Sequence, residues 1–283
     1  MTSISDYKAQ ILQKVQEAHK ASDPLNPDAR KILDVAGSED QIADLIKRLA
    51  DPATPVSEQL SALNTLGVVS NFSKVLPTQA ADLVNALRGL IHSPDAEVRR
   101  QALSSLSLRG DPVAQDYLRS ELQSDKPEAE KSIPTYQAIA MLGVDGKAVD
   151  KSLLLNIARN PPDEASLVQA VRHLPADKDT ASVLMDILGD ESKPLAARAL
   201  IPDIVSNIDP GGFAAQAKQM LEEHGASSKI APYLALGLAG IRPGHNEPLV
   251  DDTKAVVRSM AAGGSDAFQQ AARQLSNTIL PDR

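Results

Sequence analysis

Apolar side chains recur every three or four residues along most of the chain, which is the spacing of a helix that buries one face. The pattern is clearest from Ala80 to Ser107, where two such stretches flank a turn that contains Pro94 and Asp95. The apolar positions are Leu83, Val84, Leu87, Leu90 and Ile91 in the first stretch, and Val98, Ala102 and Leu106 in the second. Asp caps free helix amides and Pro costs little at a helix start. The segment therefore predicts a helical hairpin.

Further copies of the second helix carry an Ala followed four residues later by a Leu. They are Ala62/Leu66, Ala102/Leu106, Ala138/Leu142, Ala170/Leu174 and Ala271/Leu275. The first four copies are separated by 32 to 40 residues, a spacing typical of repeat arrays. Helical stretches around Ala199 and Ala235 fit degenerate copies. We therefore expect about seven hairpins, one of them with a second helix from Pro194 to Ser206.

The turns between the paired helices resemble those of the HEAT-repeat family, and the match is closest from Ser93 to Arg99. In that family an Asp-Pro-like turn precedes a helix that opens with a Val-Arg pair, here Val98 and Arg99. Only the second copy carries this pair, so the pattern does not predict a continuous Asp–Arg ladder between repeats. The resemblance covers roughly residues 39–280. It implies an all-α, armadillo-like α-solenoid that winds as a right-handed superhelix.

Prolines and glycines indicate the organisation of the chain. We expect an N-terminal helical cap and linker at residues 1–37, HEAT-like repeats at 38–240, and a degenerate repeat or cap at 241–283. Pro134 should kink a helix or mark its start, because proline lacks the amide donor. The Asp-Pro-Gly-Gly sequence that begins at Asp209 predicts a clear break between helices.

Composition narrows the classes of function. The net charge of −8 and the pI near 5.2 oppose a general nucleic-acid role, since such binding depends on Lys and Arg that neutralise phosphates. The chain contains no cysteine, and no stretch approaches the ~18 apolar residues of a membrane span. Charged residues interrupt the first 20 positions, which opposes a secretory leader. We therefore expect a cytoplasmic protein without a membrane span.

Motifs for catalysis or metal binding are weak. No two of the five histidines are four residues apart, the spacing that places two imidazoles on one metal ion. The sequence from Gly143 to Lys147 lacks the spacer and the hydroxyl residue of a phosphate-binding loop. Ser5 and Lys8 have the spacing of some acyl-enzyme nucleophiles, but Ser5 also fits a helix cap. We expect no catalytic residue, no metal and no cofactor.

Polar residues that flank the Ala and Leu positions form the best candidate site. In HEAT-like solenoids the second helices line the concave side, so these residues should face a partner. The predicted stripe consists of Arg100, Gln101, Tyr136, Gln137, Gln169, Arg172, His173 and Arg198. Gln both donates and accepts hydrogen bonds, and Arg and Tyr are favoured at interfaces. Solvation of an exposed helix face is the alternative interpretation.

These features favour a noncatalytic scaffold or adaptor that binds an unidentified protein or extended peptide. One alternative is a HEAT-like enzyme, either a lyase or isomerase acting on a bilin-like pigment or a DNA glycosylase. Tyr136 with His173 is the only hint of a pigment enzyme, and the acidic charge opposes a DNA enzyme. A second alternative is a structural subunit that associates with itself through residues 241–280.

Overall fold

The computed structural model describes residues 38–70, 77–144, 149–241 and 248–277. Every regular element in these ranges is a helix, so the prediction of an all-α fold of HEAT-like hairpins is confirmed. The predicted N-terminal cap at residues 1–37 lies outside the described residues, and the superhelix handedness stays a prediction. The chain divides into two compact units, residues 1–120 and 121–283. The domain boundaries inferred from the sequence also stay a prediction.

The first unit contains two stacked hairpins. Its helices are α1 (Glu39–Ala50), α2 (Val56–Ser70), α3 (Pro77–Leu90), α4 (Ala96–Ser107) and most of α5 (Pro112–Gln123). Helix α1 pairs with α2, and α3 pairs with α4. The hairpins stack with α3 against α1 and α4 against α2. The first helix of each hairpin thus packs on a first helix, and the second on a second.

The second unit continues the same alternation. Its helices are α6 (Thr135–Leu142), α7 (Lys151–Arg159), α8 (Glu164–His173), α9 (Lys178–Gly189), α10 (Leu195–Arg198), α11 (Ile201–Ile208), α12 (Pro210–His224), α13 (Ala231–Gly240), α14 (Pro248–Met260) and α15 (Asp266–Asn277). The first helices α7, α9, α12 and α14 stack in that order. Among the second helices, α6 packs on α8, α8 on α10, α11 on α13, and α13 on α15.

Acidic and hydroxyl caps explain where about half of these helices begin. Side chains accept hydrogen bonds from free amides at eight helix starts, and the caps are Ser38, Asp95, Asp111, Asp150, Asp163, Asp177, Asp209 and Ser265. Pro134 immediately precedes α6, which resolves its predicted role as a helix start. At the other end of a helix, Gly225 adopts a positive φ of 74° and terminates α12.

One sequence expectation about the fifth hairpin is wrong, and the break predicted at Asp209 is present but short. The predicted helix from Pro194 to Ser206 is broken into α10 and α11, because Pro202 lies in the first turn of α11 and starts a new helix. The predicted break at Asp209 is a single residue. Asp209 ends α11 and caps α12, and the two following glycines lie inside α12.

Neighbouring first helices are joined by polar side chains. We call these five contacts the first-helix links: Gln79 to the Glu39 carbonyl, Arg88 to Asp111, Lys151 to Asp177, Gln216 to the Met185 carbonyl, and Thr253 to the Ala214 carbonyl. Each link joins a first helix, or its cap, to the next first helix in the same unit. The donor-to-acceptor distances run from 2.6 to 3.2 Å.

The described junctions between second helices rely on apolar packing instead. Gly237 of α13 lies so close to α11 and α12 that a Cβ atom there would be 2.7 Å from Phe213 Cζ and 2.9 Å from the Pro202 carbonyl oxygen. Phe213 and Phe268 are fully buried. The absence of a side chain at Gly237 therefore permits the close approach of these helices.

Candidate functional site on the second helices

In the first unit, the predicted stripe is held by a carboxylate that the sequence analysis did not select. Glu97, in the first turn of α4, accepts hydrogen bonds from Arg100 and from Gln101 Nε2. These bonds, the one from Arg100 foremost, lower the pKa of Glu97 to about 2. The spacings of three and four residues place all three side chains on one helix face. Both predicted binding residues are half-buried and already have a partner on their own helix.

In the second unit, five of the predicted site residues lie on α6 and α8, and these two helices pack against each other. Tyr136, Gln137 and Gln169 are half-buried, and Arg172 is exposed. Gln137 Nε2 donates to the Tyr136 hydroxyl at 2.9 Å, a contact within α6. Gln169 and Arg172 form no side-chain hydrogen bond with a described residue. This part of the stripe keeps hydrogen-bonding capacity toward solvent.

His173 packs against the end of the neighbouring second helix. A Cβ atom added at Gly143, the last-turn cap of α6, would lie 2.2 Å from His173 Cε1. Burial, with a smaller contribution from the nearby Arg172 charge, lowers the pKa of His173 below its ordinary value. A neutral imidazole that lies on a glycine fits a packing role. Tyr136 and His173 line neither the groove between α1 and α3 nor the groove along α13 and α15.

Arg198, the last residue of the short helix α10, does not lie on the exposed stripe that the sequence predicts. Its residue exposure is 7%, and its Nε donates to the Leu188 carbonyl at the end of α9, 2.9 Å away. The buried Nη2 atom has no hydrogen-bond partner in the described part of the chain. Arg198 is therefore a structural residue of the fifth hairpin.

A groove on the last second helices was missed by the sequence analysis. This C-terminal groove has a volume of about 550 Å³ and lies along α13 and α15. Tyr233 and Leu236 of α13 are 38% and 42% exposed there. Gln270 and Gln274 of α15 form part of its polar lining. Tyrosine is a favoured anchor residue in protein interfaces.

Comparison with known proteins is informative for part of the chain. Residues 42–133 match the family model for HEAT repeats. Similarity to HEAT repeats is therefore shown for this segment of the chain. The match spans α1 to α5 and ends just before α6. No curated protein and no solved structure gave a significant match.

The HEAT-repeat pattern could have identified half of the C-terminal groove. Gln270 immediately precedes Ala271, as Gln137 and Gln169 precede the alanine of earlier copies. Gln274 lies three residues after Ala271, as Met141 and His173 lie three residues after the alanine of those copies. Tyr233 and Leu236 gave no such signal. Helix α13 is apolar on nearly every face, so its sequence does not indicate which apolar residues are exposed.

The chemistry of the described surface is that of contact and hydrogen bonding. Among the described residues, no group of three His, Asp or Glu side chains lies close enough to hold a metal ion. None of the described helices is long and apolar enough to cross a membrane. HEAT-repeat proteins are typically noncatalytic, and their repeats commonly serve as protein-interaction scaffolds.

Proposed function

We propose that this protein is a noncatalytic scaffold or adaptor that binds a partner protein along the exposed side of its second helices. The observation that carries the proposal is the C-terminal groove, where Tyr233 and Leu236 are exposed beside the amides of Gln270 and Gln274. Burial of an aromatic and a leucine side chain by a partner would supply the hydrophobic part of the binding free energy.

The amides of α6 and α8 support an extended contact. Gln137 and Gln169 lie on helices that pack together, and each can donate to and accept from a partner. Both helices are held by the core, so their side chains are positioned before a partner arrives. A preformed surface of this kind loses little conformational entropy on binding. The Arg100 and Gln101 pair contributes less, because Glu97 already binds both side chains.

The experiment measures how much partner protein is captured by the wild-type full chain and by each of three variants. The first variant, Tyr233→Arg/Leu236→Arg, adds two charges to the C-terminal groove. The second, Gln137→Lys/Gln169→Lys, changes the amides of α6 and α8. A matched control, Ser182→Lys/Ala215→Lys, adds two charges at exposed positions of the first helices α9 and α12.

The expected result is the same captured protein with the wild type and the control, and a loss of at least about tenfold with Tyr233→Arg/Leu236→Arg. A smaller loss is expected for Gln137→Lys/Gln169→Lys, because half-buried amides contribute less than aromatic anchors. Circular dichroism and thermal melting should match the wild type in all variants. Equal capture by wild type and both second-helix variants would reject the proposal, and so would capture of only nucleic acid or a pigment.

A further inference from the structure

A second groove lies on the opposite helix layer of the first unit, between the first helices α1 and α3. This first-helix groove has a volume of about 560 Å³. Apolar side chains of Ile46, Leu49 and Leu90 contribute to its floor, and small residues, Ala43, Ala86 and Gly89, line its sides. The volume lies in the range of ligand-binding clefts in proteins. The small side chains let a ligand backbone approach the helices closely.

Two glutamines that line this groove have unused hydrogen-bonding capacity. Gln59 of α2 is 7% exposed, and its side-chain amide forms no hydrogen bond with any described residue. Gln79 Nε2 donates to the Glu39 carbonyl, but its Oε1 atom is buried and has no partner in the described structure. The fully buried side-chain atoms without a partner include Gln79 Oε1 but no atom of Gln59, so the Gln59 amide is open to the groove. A ligand in the groove can therefore pair with the Gln59 amide.

We propose that the first-helix groove binds a short extended peptide segment of a partner protein. A peptide backbone presents alternating N–H donors and C=O acceptors, which Gln59 can pair with at both ends of its amide. Apolar ligands without such groups would leave the Gln59 amide unpaired. This inference is independent of the second-helix proposal.

The length of the groove sets the length of the segment. The groove follows α3 from Gln79 to Leu90, which is ~17 Å at about 1.5 Å per helical residue. An extended chain advances about 3.4 Å per residue, so about five residues fill the groove. The small lining residues select short side chains where the segment faces α1 and α3.

Charges on the two walls add specificity. Lys47 lies on α1 and Asp82 on α3, both are exposed, and neither forms an ion pair with a described residue. The segment should therefore carry one acidic side chain near Lys47 and one basic side chain near Asp82. Exposed pairs of this kind contribute modestly to affinity, but they disfavour peptides with charges of the wrong sign.

The test selects peptides from a phage-displayed library of random heptapeptides against the full-length chain. Enriched peptides are synthesised with a fluorescein label, and their affinities are measured by fluorescence anisotropy. The blocked variant is Gly89→Gln, which places a long side chain in the groove at a helical position with free space around its Cβ. The matched control is Ala81→Gln, at an exposed position of the same helix that does not line the groove.

The expected result is a family of peptides with short side chains, one acid and one base. Their affinity should fall at least about tenfold with Gly89→Gln and stay unchanged with Ala81→Gln. Lys47→Glu should weaken binding about threefold to fivefold, and replacing the acidic residue of the peptide with Lys should restore it.

The variant Gln59→Leu distinguishes a role of Gln59 in peptide binding from a purely structural role. Because the amide forms no hydrogen bond with a described residue, leucine at this position should not lower the urea midpoint of unfolding. The same change should weaken peptide binding about tenfold. Enrichment of no peptide, peptides that bind Gly89→Gln as tightly as wild type, or peptides lost with Tyr233→Arg/Leu236→Arg instead would overturn the proposal.

Discussion

The first and second helices of the hairpins differ in how their polar side chains are used. On the first helices, five side chains bond to the neighbouring first helix or to its cap, as in the contacts of Arg88 with Asp111 and of Lys151 with Asp177. On the second helices, the contacts of Gln101 and Gln137 stay within their own helix. Close apolar packing at Gly237 joins second helices instead.

This difference separates polar groups that hold repeats together from polar groups that remain available to a ligand. A side chain already bonded to the next hairpin cannot be given to a partner without loss of stability. A side chain whose hydrogen bonds stay within its own helix, or that forms none, can bind a partner with little loss of folding free energy. By that criterion, Gln169 and Tyr233 are better interface candidates than Arg88 or Lys151.

The largest expected effect is that of Asp111→Ala. The Asp111 side chain is 5% exposed, accepts from Arg88 Nη2 at 2.6 Å, and caps α5 through the amides of Val113 and Ala114. Burial alone would raise the pKa of Asp111, but the Arg88 bond and the two amides outweigh it and hold the pKa below its ordinary value. Removal should cost about 2–4 kcal/mol of unfolding free energy, measured by urea titration.

Asp150→Ala is the matched control, since Asp150 caps α7 but is exposed and has no described contact with another first helix. Its effect should be clearly smaller than that of Asp111→Ala. Equal losses would mean that capping alone, without the link to Arg88, accounts for the stability.

The variant Gly237→Ala tests whether close apolar packing joins the second helices. The added methyl group would overlap the Phe213 ring and the Pro202 backbone, and a backbone carbonyl cannot move aside as a flexible side chain can. The expected loss is about 1–3 kcal/mol in the free energy of unfolding. Gly240→Ala is the control on the same helix, because its nearest contact would be 3.9 Å away. No difference between the two variants in thermal melting would contradict close packing at Gly237.

The variant Arg198→Met tests whether Arg198 is a structural residue and not part of the predicted binding stripe. Methionine keeps most of the buried volume and removes a guanidinium with one unpaired nitrogen, so stability should change by less than about 1 kcal/mol. Partner capture should equal that of the wild type, since Arg198 does not reach the surface. A selective loss of capture with unchanged melting would instead restore Arg198 to the interface.

Sequence periodicity predicted the fold well because each hairpin is a local structure. Apolar spacing and Asp caps such as Asp95 are encoded within about ten residues, so they can be read without the tertiary fold. The exposure of Tyr233 and the burial of Arg198 depend on how helices from different hairpins pack. The Pro202 break shows the same limit, because a proline after an apolar run fits both a kinked helix and a new one. The groove between α1 and α3 involves residues about 40 positions apart and has no local signal.

The smallest expected effect is the pH dependence of the Lys151 link. Lys151 Nζ donates to the Asp177 carboxylate at 2.7 Å, and this bond is the main reason that the pKa of Asp177 is lowered to about 2 from 3.8. Because the folded form holds the carboxylate ionised, the contribution is complete above about pH 4 and is lost as the pH falls toward 2. Urea midpoints measured across this range should fall more steeply for the wild type than for Lys151→Met. Both side chains are partly exposed, so the difference should shrink at high salt. Parallel pH curves for the two proteins would show that this first-helix link adds no stability, and the comparison would then rest on the buried Asp111 link.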